Sequence, residues 1–291
     1  VKRCLACGHR FAAAGWDCPG CGRAPVERGG FPAFAPGAAG ASYDPALFAR
    51  LAALEPGNYW FEARNRLIAW ALARYFPGAR SFLEIGCGTG FVLAGLRRAR
   101  PDLALAGAEV FSEGLAHAAA RVPGAALLQM DARRIPFEAE FDVIGAFDVL
   151  EHIEEDEAVL VEMHRALRPG GGLLLSVPQH PWLWSPADAH ARHRRRYTRR
   201  ELAAKLARAG FALRRATSFV ALLLPALALS RIAGRRRRRA DPLPELDVGR
   251  ALNLALTGAL ALERGLIRAG LSFPAGGSLL VVARRNGGER R

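Results

Sequence analysis

The chain has 291 residues with an apolar fraction of 51%, enough for one large domain with appendages or for two small ones, and enough to build a sizeable core. Its net charge of +14 is almost all arginine and is concentrated: residues 192–239 hold fifteen Arg, Lys205 and a single acid, Glu201, a one-sided excess that implies an anionic partner such as phosphate headgroups, nucleic acid or an acidic substrate. No run of about 20 apolar residues marks a certain membrane span, and polar first residues with free cysteines argue against a secretory signal and for the reducing cytoplasm.

The chain begins with two cysteine pairs, Cys4-x-x-Cys7 and Cys18-x-x-Cys21, each followed by a glycine, Gly8 and Gly22. A glycine there permits the sharp turn that aims main-chain amides at thiolate sulfur. Four thiolates suit tetrahedral zinc; two disulfides or an iron site suit a cytosolic setting less well. The pattern is similar to a zinc ribbon or a rubredoxin-type knuckle pair. A segment as short as residues 1–28 has little core and should depend on its metal to fold, with a use in docking a partner or clamping the neighbouring domain. Residues 29–46 are rich in Gly, Pro and Ala and read as a linker.

Tyr59–Arg74 follows as an amphipathic helix. Then βα alternation becomes regular. Strand 1 is Ser81–Ile85, carrying Glu84 and running into Gly86-Cys-Gly88-Thr-Gly90 and a helix to about Arg100. Glycines let the backbone turn tightly and let a ligand lie against it, and the helix N-terminus points amides at that ligand. Strand 2, Leu103–Val110, brings Glu109 to its end, where an acid accepts hydrogen bonds from ribose hydroxyls in nucleotide-binding α/β folds. Strand 3 ends at Asp131 and Ala132. Strand 4, Phe141–Phe147, leads into Asp148-Val-Leu-Glu151-His152. Arg168-Pro-Gly-Gly-Gly172 breaks the next helix ahead of strand 5, Leu173–Val177. Thr198 and Glu201 form a capping box for a helix that ends at Gly210, and Phe211–Ser218 is strand 6. Gly277–Arg284 fits a last, antiparallel strand.

The Glu84 strand with its G-x-G-x-G loop resembles motif I of class I S-adenosylmethionine (SAM) methyltransferases, and the "LRPGG-LLLSVP" stretch is similar to another segment of that family. The resemblance covers about residues 58–218 and 277–285. It implies an α/β, Rossmann-like sheet of seven strands in the order 3-2-1-4-5-7-6, with a SAM-binding core over residues 47–218. It further implies a donor pocket formed by Glu84, Gly86, Cys87, Gly88, Gly90, Glu109, Asp131, Ala132 and Phe147. Asp131 would meet the adenine amino group, Arg64 would clamp the methionine carboxylate, and Cys87 reads as a small filler rather than a catalytic thiol. His152 is the first candidate for a general base, with His180, His190, His193 and Tyr197 behind it. The tetrapeptide (N/D)-P-P-(Y/F) of amino-group nucleic-acid methylases is missing after strand 4. The stretch resembles the small-molecule branch that includes ubiquinone- and menaquinone-biosynthesis enzymes, and implies O- or C-methylation of a small-molecule or lipid-linked acceptor. The alternative is an RNA methyltransferase that uses the zinc module and arginine face to hold RNA.

Residues 219–276 form an insertion between strands 6 and 7, and residues 277–291 the last strand and tail. Phe219–Leu229 is apolar on every face yet too short to span a bilayer. Arg235–Arg239 follows it, and a second apolar run occupies Ala251–Leu262. A helical lid over the sheet is the expected structure. A seat on an anionic membrane surface through Arg235–Arg239 is compatible with it.

Overall fold

The computed structural model describes residues 1–37, 47–234 and 247–287. In the first of these, β1 (Lys2–Arg3) and β2 (Arg10–Phe11) form a small ribbon, and β3 (Val26–Arg28) and β4 (Phe31–Ala33) form a hairpin. Helices α1 (Leu47–Leu54) and α2 (Tyr59–Tyr75) lead into β5 (Ser81–Ile85), α3 (Phe91–Ala99), β6 (Ala104–Glu109), α4 (Ser112–Arg121) and β7 (Ala126–Gln129). Next come β8 (Phe141–Phe147), α5 (Asp156–Ala166), β9 (Leu167–Pro178), the short α6 (Pro186–His190), α7 (Arg199–Arg208) and β10 (Phe211–Phe219). The insertion contributes α8 (Leu224–Gly234) and α9 (Arg250–Arg268), and β11 (Ser278–Arg285) closes the sheet.

The strands lie in the order β10-β11-β9-β8-β5-β6-β7-β4-β3. From β9 to β4 neighbouring strands run parallel, while β11 is antiparallel to both β9 and β10. Parallel strands need cover on both faces. Alternating side chains of β5 accordingly enter different cores: Phe82 packs with Leu67 and Ile68 of α2 and Leu93 and Leu96 of α3, whereas Leu83 and Ile85 share a core with Leu160 and Met163 of α5 and Leu206 of α7. This layering leaves the carboxyl ends of β5, β6, β7 and β8 along one rim, where ligands bind in open α/β sheets.

Three expectations are corrected. The sheet has nine strands rather than seven, because the β3–β4 hairpin extends its edge. Residues 31–33, expected within a linker, are a strand paired with β7 through Ala33 and Gln129. The amide side chain of Gln129 explains this: its Nε2 donates to the carbonyls of Ala35 (2.7 Å) and Val110 (2.9 Å), and its Oε1 accepts from Ala35 N (3.1 Å). Trp16 packs edge-on against Phe34 (4.6 Å) and Phe137 (5.4 Å). Nothing in the sequence pattern advertises a strand in this stretch, since pairing supplied by a preformed edge outweighs weak local propensity. The Arg168–Gly172 stretch likewise belongs to β9, which is longer than expected.

The arginine-rich segment is also less one-sided than its composition implies. Arg195 and Lys205 pair with Asp156, Arg196 with Asp188, and Arg208 with Glu157. Arg215 donates to the carbonyls of Ile267 (3.0 Å) and Leu271 (2.6 Å). Arg235–Arg239 lie outside the described residues.

Candidate active site

A cleft of about 1330 Å³ opens along the rim, walled by α1, α2, the loops after β5 to β8, and the insertion. Glu84 stands at the end of β5 and is 3% exposed, with its Oε2 lacking a hydrogen-bond partner. Burial pushes its carboxyl well above the usual range, against the pull of Arg64. A buried, unpaired carboxylate oxygen facing a cleft is a place for a cationic group. The loop that follows begins at a position that admits no side chain: a Cβ on Gly86, whose φ is +69°, would lie 2.4 Å from Val149 Cγ2. Gly86, Cys87 and Gly88 all line the cleft. Gly90 does not; it is the left-handed N-cap of α3, and a Cβ there would meet Ala118 Cα at 2.9 Å. Its lack of a side chain permits α3 and α4 to approach. Burial raises the Cys87 thiol well above its ordinary value, in keeping with filler.

Glu109 ends β6. Its Oε2 accepts from Gly88 N (3.0 Å), and its Oε1 accepts from Val110 N (2.8 Å) and Phe111 N (3.3 Å). The second acid thus ties down the glycine loop of the first strand. Asp131 lies just beyond β7. Burial pushes its carboxyl up, but the Arg133 side chain (2.6 Å) and the Arg133 amide (2.8 Å) outweigh that and hold it below the ordinary value. Ala132 and Phe147 line the same cleft. Glu84, Glu109 and Asp131 therefore come from three adjacent parallel strands onto one rim.

Arg64, on α2, is 9% exposed and faces this cleft. It stacks 4.3 Å from the Trp60 ring and pairs with Asp148. Asp148 was not foreseen as a site residue. Its φ of +58° is a left-handed conformation that Asp tolerates better than most residues, and the acid directly after strand 4 was the available signal. Glu55 was missed as well. It is 5% exposed, lines the cleft, accepts from Thr89 Oγ1 (2.6 Å), and pairs with Arg121, so that α1 is latched over the glycine loop.

The far half of the cleft is built differently. His152 lies in the turn after β8, with its ring 4.8 Å from that of His193. Burial, and secondarily His193, push the His152 imidazole down to about 4. His193 Nδ1 is 3.0 Å from Asp188 Oδ1, which also accepts from Arg196 Nε (2.8 Å). Leu223, Leu227, Leu252 and Leu256 of the insertion line the opposite wall. His190 lines the cleft too, whereas His180 does not. Tyr197 is corrected: it is fully buried, its hydroxyl donates to Asp156 Oδ2 (2.7 Å), and it takes no part in the cleft.

The four N-terminal cysteines form a second site. Their Sγ atoms lie within 4.8 Å of one another, with Cys4–Cys21 at 3.7 Å and Cys7–Cys18 at 3.6 Å. Sulfurs about 2.3 Å from one tetrahedral ion stand about 3.8 Å apart, so the donor set fits zinc. Gly8 N donates to Cys4 O (2.9 Å) and Gly22 N to Cys18 O (2.8 Å), which are the turns that close each knuckle. The amide of Cys7 draws the Cys4 thiol down, whereas the Cys7 thiol, against the pull of the His9 amide, is pushed up by the neighbouring thiols and by burial.

The model of a family described as "Methyltransferase domain" matches residues 57–216, over half of the chain. The chain belongs to this methyltransferase family. A "Probable S-adenosylmethionine-dependent methyltransferase" of Mycolicibacterium smegmatis is 32% identical over 162 residues, covering 53% of this chain and 60% of that protein. A "Trans-aconitate 2-methyltransferase" of Methylobacterium nodulans is 31% identical over 159 residues, covering 54% and 60%. The chain thus spans about 60% of the length of these curated relatives. A Thermotoga maritima structure described as a SAM-dependent methyltransferase, possible histamine N-methyltransferase, superposes with a TM-score of 0.52 at 16% identity, covering 83% of this chain and 95% of that one. That likeness is one of fold.

Proposed function

We propose that this protein transfers a methyl group from SAM to a small-molecule or lipid-linked acceptor, at oxygen or carbon. The observation that carries the reading is the row of Glu84, Glu109 and Asp131 on adjacent strand ends, beside a glycine loop whose Gly86 has no room for a side chain. When bound, the donor supplies an electrophilic methyl on a sulfonium. Glu84 would take its ammonium group, Glu109 its ribose hydroxyls, and Asp131 with Ala132 its adenine. Phe147 would flank the methionyl arm, and Arg64 would hold its carboxylate through an exchange of partners with Asp148. Methyl transfer of this kind needs the two reactants held in near-attack geometry rather than a protein nucleophile.

The acceptor half joins insertion leucines to Arg192 and Arg194 across one space. That chemistry suits an acceptor with an apolar part and an anionic group. Among the described residues no helix is long and apolar enough to cross a membrane. Leu229, Leu254 and Leu262 are nonetheless well exposed on α8 and α9, and contact with an anionic bilayer surface would bring a lipid-linked acceptor to the lid. Against the RNA alternative, three arginines of this stretch, Arg195, Arg196 and Arg208, are paired with internal acids.

Calorimetry with SAM and its demethylated product tests the donor assignment. Asp131→Ala and Glu109→Ala are each expected to weaken binding by about tenfold or more, the worth of a hydrogen bond to a charged group. Unchanged affinity in both would end the reading. A labelled-methyl screen of aqueous, lipid and RNA fractions then separates the acceptors, and RNA labelling would favour the alternative.

A further inference from the structure

The turn after β8 carries a group that the donor assignment leaves without a task. Glu151 is fully buried, and both of its carboxylate oxygens lack a hydrogen-bond partner. An unpaired buried carboxyl is costly and marks a place where a ligand is absent. Its surroundings name the ligand. One donor atom from each of Glu151, His152 and His193 lies within 4.8 Å of the other two. Two donor atoms each about 2.1 Å from one ion stand at most about 4.2 Å apart, so a small side-chain contraction closes the set.

The imidazoles are oriented as ligands are. His193 Nδ1 faces Asp188 Oδ1 at 3.0 Å, which turns its Nε2 into the lone-pair atom. Asp188 is itself held by Arg196 Nε (2.8 Å), Ser185 N (2.8 Å) and Ser185 Oγ (3.1 Å). A carboxylate behind a histidine in this way fixes tautomer and ring direction in metal sites. His152 is oriented by the main chain of Ala191 and Arg192. The four residues Glu151, His152, Asp188 and His193 all line the far half of the cleft, and Asp148 brings a further carboxylate beside them.

We propose that Glu151, His152 and His193 bind a divalent transition-metal cation at the acceptor end of the cleft, with Asp188 as the residue that positions His193. Two imidazoles and one carboxylate suit Mn²⁺, Fe²⁺, Co²⁺ or Zn²⁺, and three protein ligands leave positions open for an acceptor oxygen. This role rests on the methyl-transfer reading. A hydroxyl bound to the cation loses its proton to water more readily; the oxygen lone pair then forms the bond to the methyl carbon as the carbon–sulfur bond breaks and its electron pair returns to sulfur. His152 would in that case hold the cation rather than accept the proton.

The test uses the full chain with zinc in its cysteine module. Mn²⁺ prefers carboxylate, imidazole and water to thiolate, so the four cysteines do not take it up. Loss of the free-ion electron paramagnetic resonance signal is expected to give one Mn²⁺ per chain. Glu151→Gln, a near-isostere, and His193→Asn should each abolish this binding, and Asp188→Asn should weaken it by roughly 10–100-fold, with circular dichroism confirming the fold of each variant. Failure of the wild-type protein to bind Mn²⁺, or equal binding in all variants, overturns the proposal. SAM calorimetry on the same samples separates the two readings. SAM binding without Mn²⁺ removes the cation site alone; Mn²⁺ binding without SAM leaves the cation site and removes methyl transfer.

Discussion

Gly90 and Glu84 illustrate how a single position acts in this protein. Gly86 and Gly90 belong to one motif but answer to different constraints. Gly86 keeps the ligand wall clear of Val149, while Gly90 lets the backbone of α4 come close. We therefore expect Gly90→Ala to destabilise the fold by roughly 1–3 kcal/mol through strain at positive φ and overpacking, read as a lowered denaturant midpoint. Glu84→Gln should act on binding instead. Under the proposed donor placement, removing the Glu84 charge should weaken SAM by about tenfold, with melting in the absence of SAM unchanged or raised, because a buried charge has been neutralised. A melting loss in Glu84→Gln without a loss of SAM affinity would reverse this division of labour.

At the scale of elements, buried carboxylates and amides connect pieces that the sequence keeps far apart. Asp142 in β8 accepts from the amides of Arg80 (2.8 Å) and Ser81 (3.0 Å) and from Arg168 Nη1 (2.8 Å), so it joins β8 to the start of β5 and to β9. Burial raises its carboxyl, but these donors outweigh that and hold it below its ordinary value of 3.8. The folded form therefore keeps its charge to lower pH than the unfolded chain. Its contribution to stability is complete above the ordinary carboxylate range and is lost as pH falls below it. Denaturation of Asp142→Ala should show a deficit at pH 7 that shrinks toward pH 3; a deficit independent of pH would refute the charge argument. Gln129 does the same for the N-terminal hairpin. Gln129→Ala leaves the groups it serves at Ala35 and Val110 without their partner and should cost about 1–3 kcal/mol. Hydrogen exchange should localise the loosening to β3, β4 and the end of β7.

For the molecule as a whole, the decisive feature is that the hairpin β3–β4, which directly follows the cysteine ribbon, joins the sheet of the α/β domain. If the four cysteines hold zinc, its removal is expected to release more than residues 1–28. The hairpin that covers β7 would lose its anchor, and an uncovered parallel edge invites association between chains. Chelation should therefore raise hydrogen exchange across β7 and produce concentration-dependent light scattering. A chelated protein that stays monodisperse, with β7 still protected, would show that the hairpin holds without metal.

Much of this was legible in the chain itself. Strand ends, glycine loop and acids declare themselves locally, because a buried parallel strand must be apolar and its carboxyl-terminal turn must be permissive; the resemblance to the methyltransferase family then implied Glu84, Gly86, Gly88, Glu109 and Asp131 as a donor pocket. The paired knuckles are equally local, since thiolate geometry dictates Cys-x-x-Cys followed by glycine. What lay beyond reach was every partnership across long sequence distance. Pairing of β4 with β7, the hold of Arg64 on Asp148, the latch of Glu55 on Thr89 and Arg121, and the meeting of Glu151 with His193 depend on which surfaces the folded sheet brings together. The same holds for the arginines: composition counts them as free charge, and only tertiary packing decides that Arg196 and Arg208 are spent on Asp188 and Glu157. Local physics writes periodicity and turn chemistry into the sequence, whereas a contact between distant residues leaves no mark there until the chain has folded.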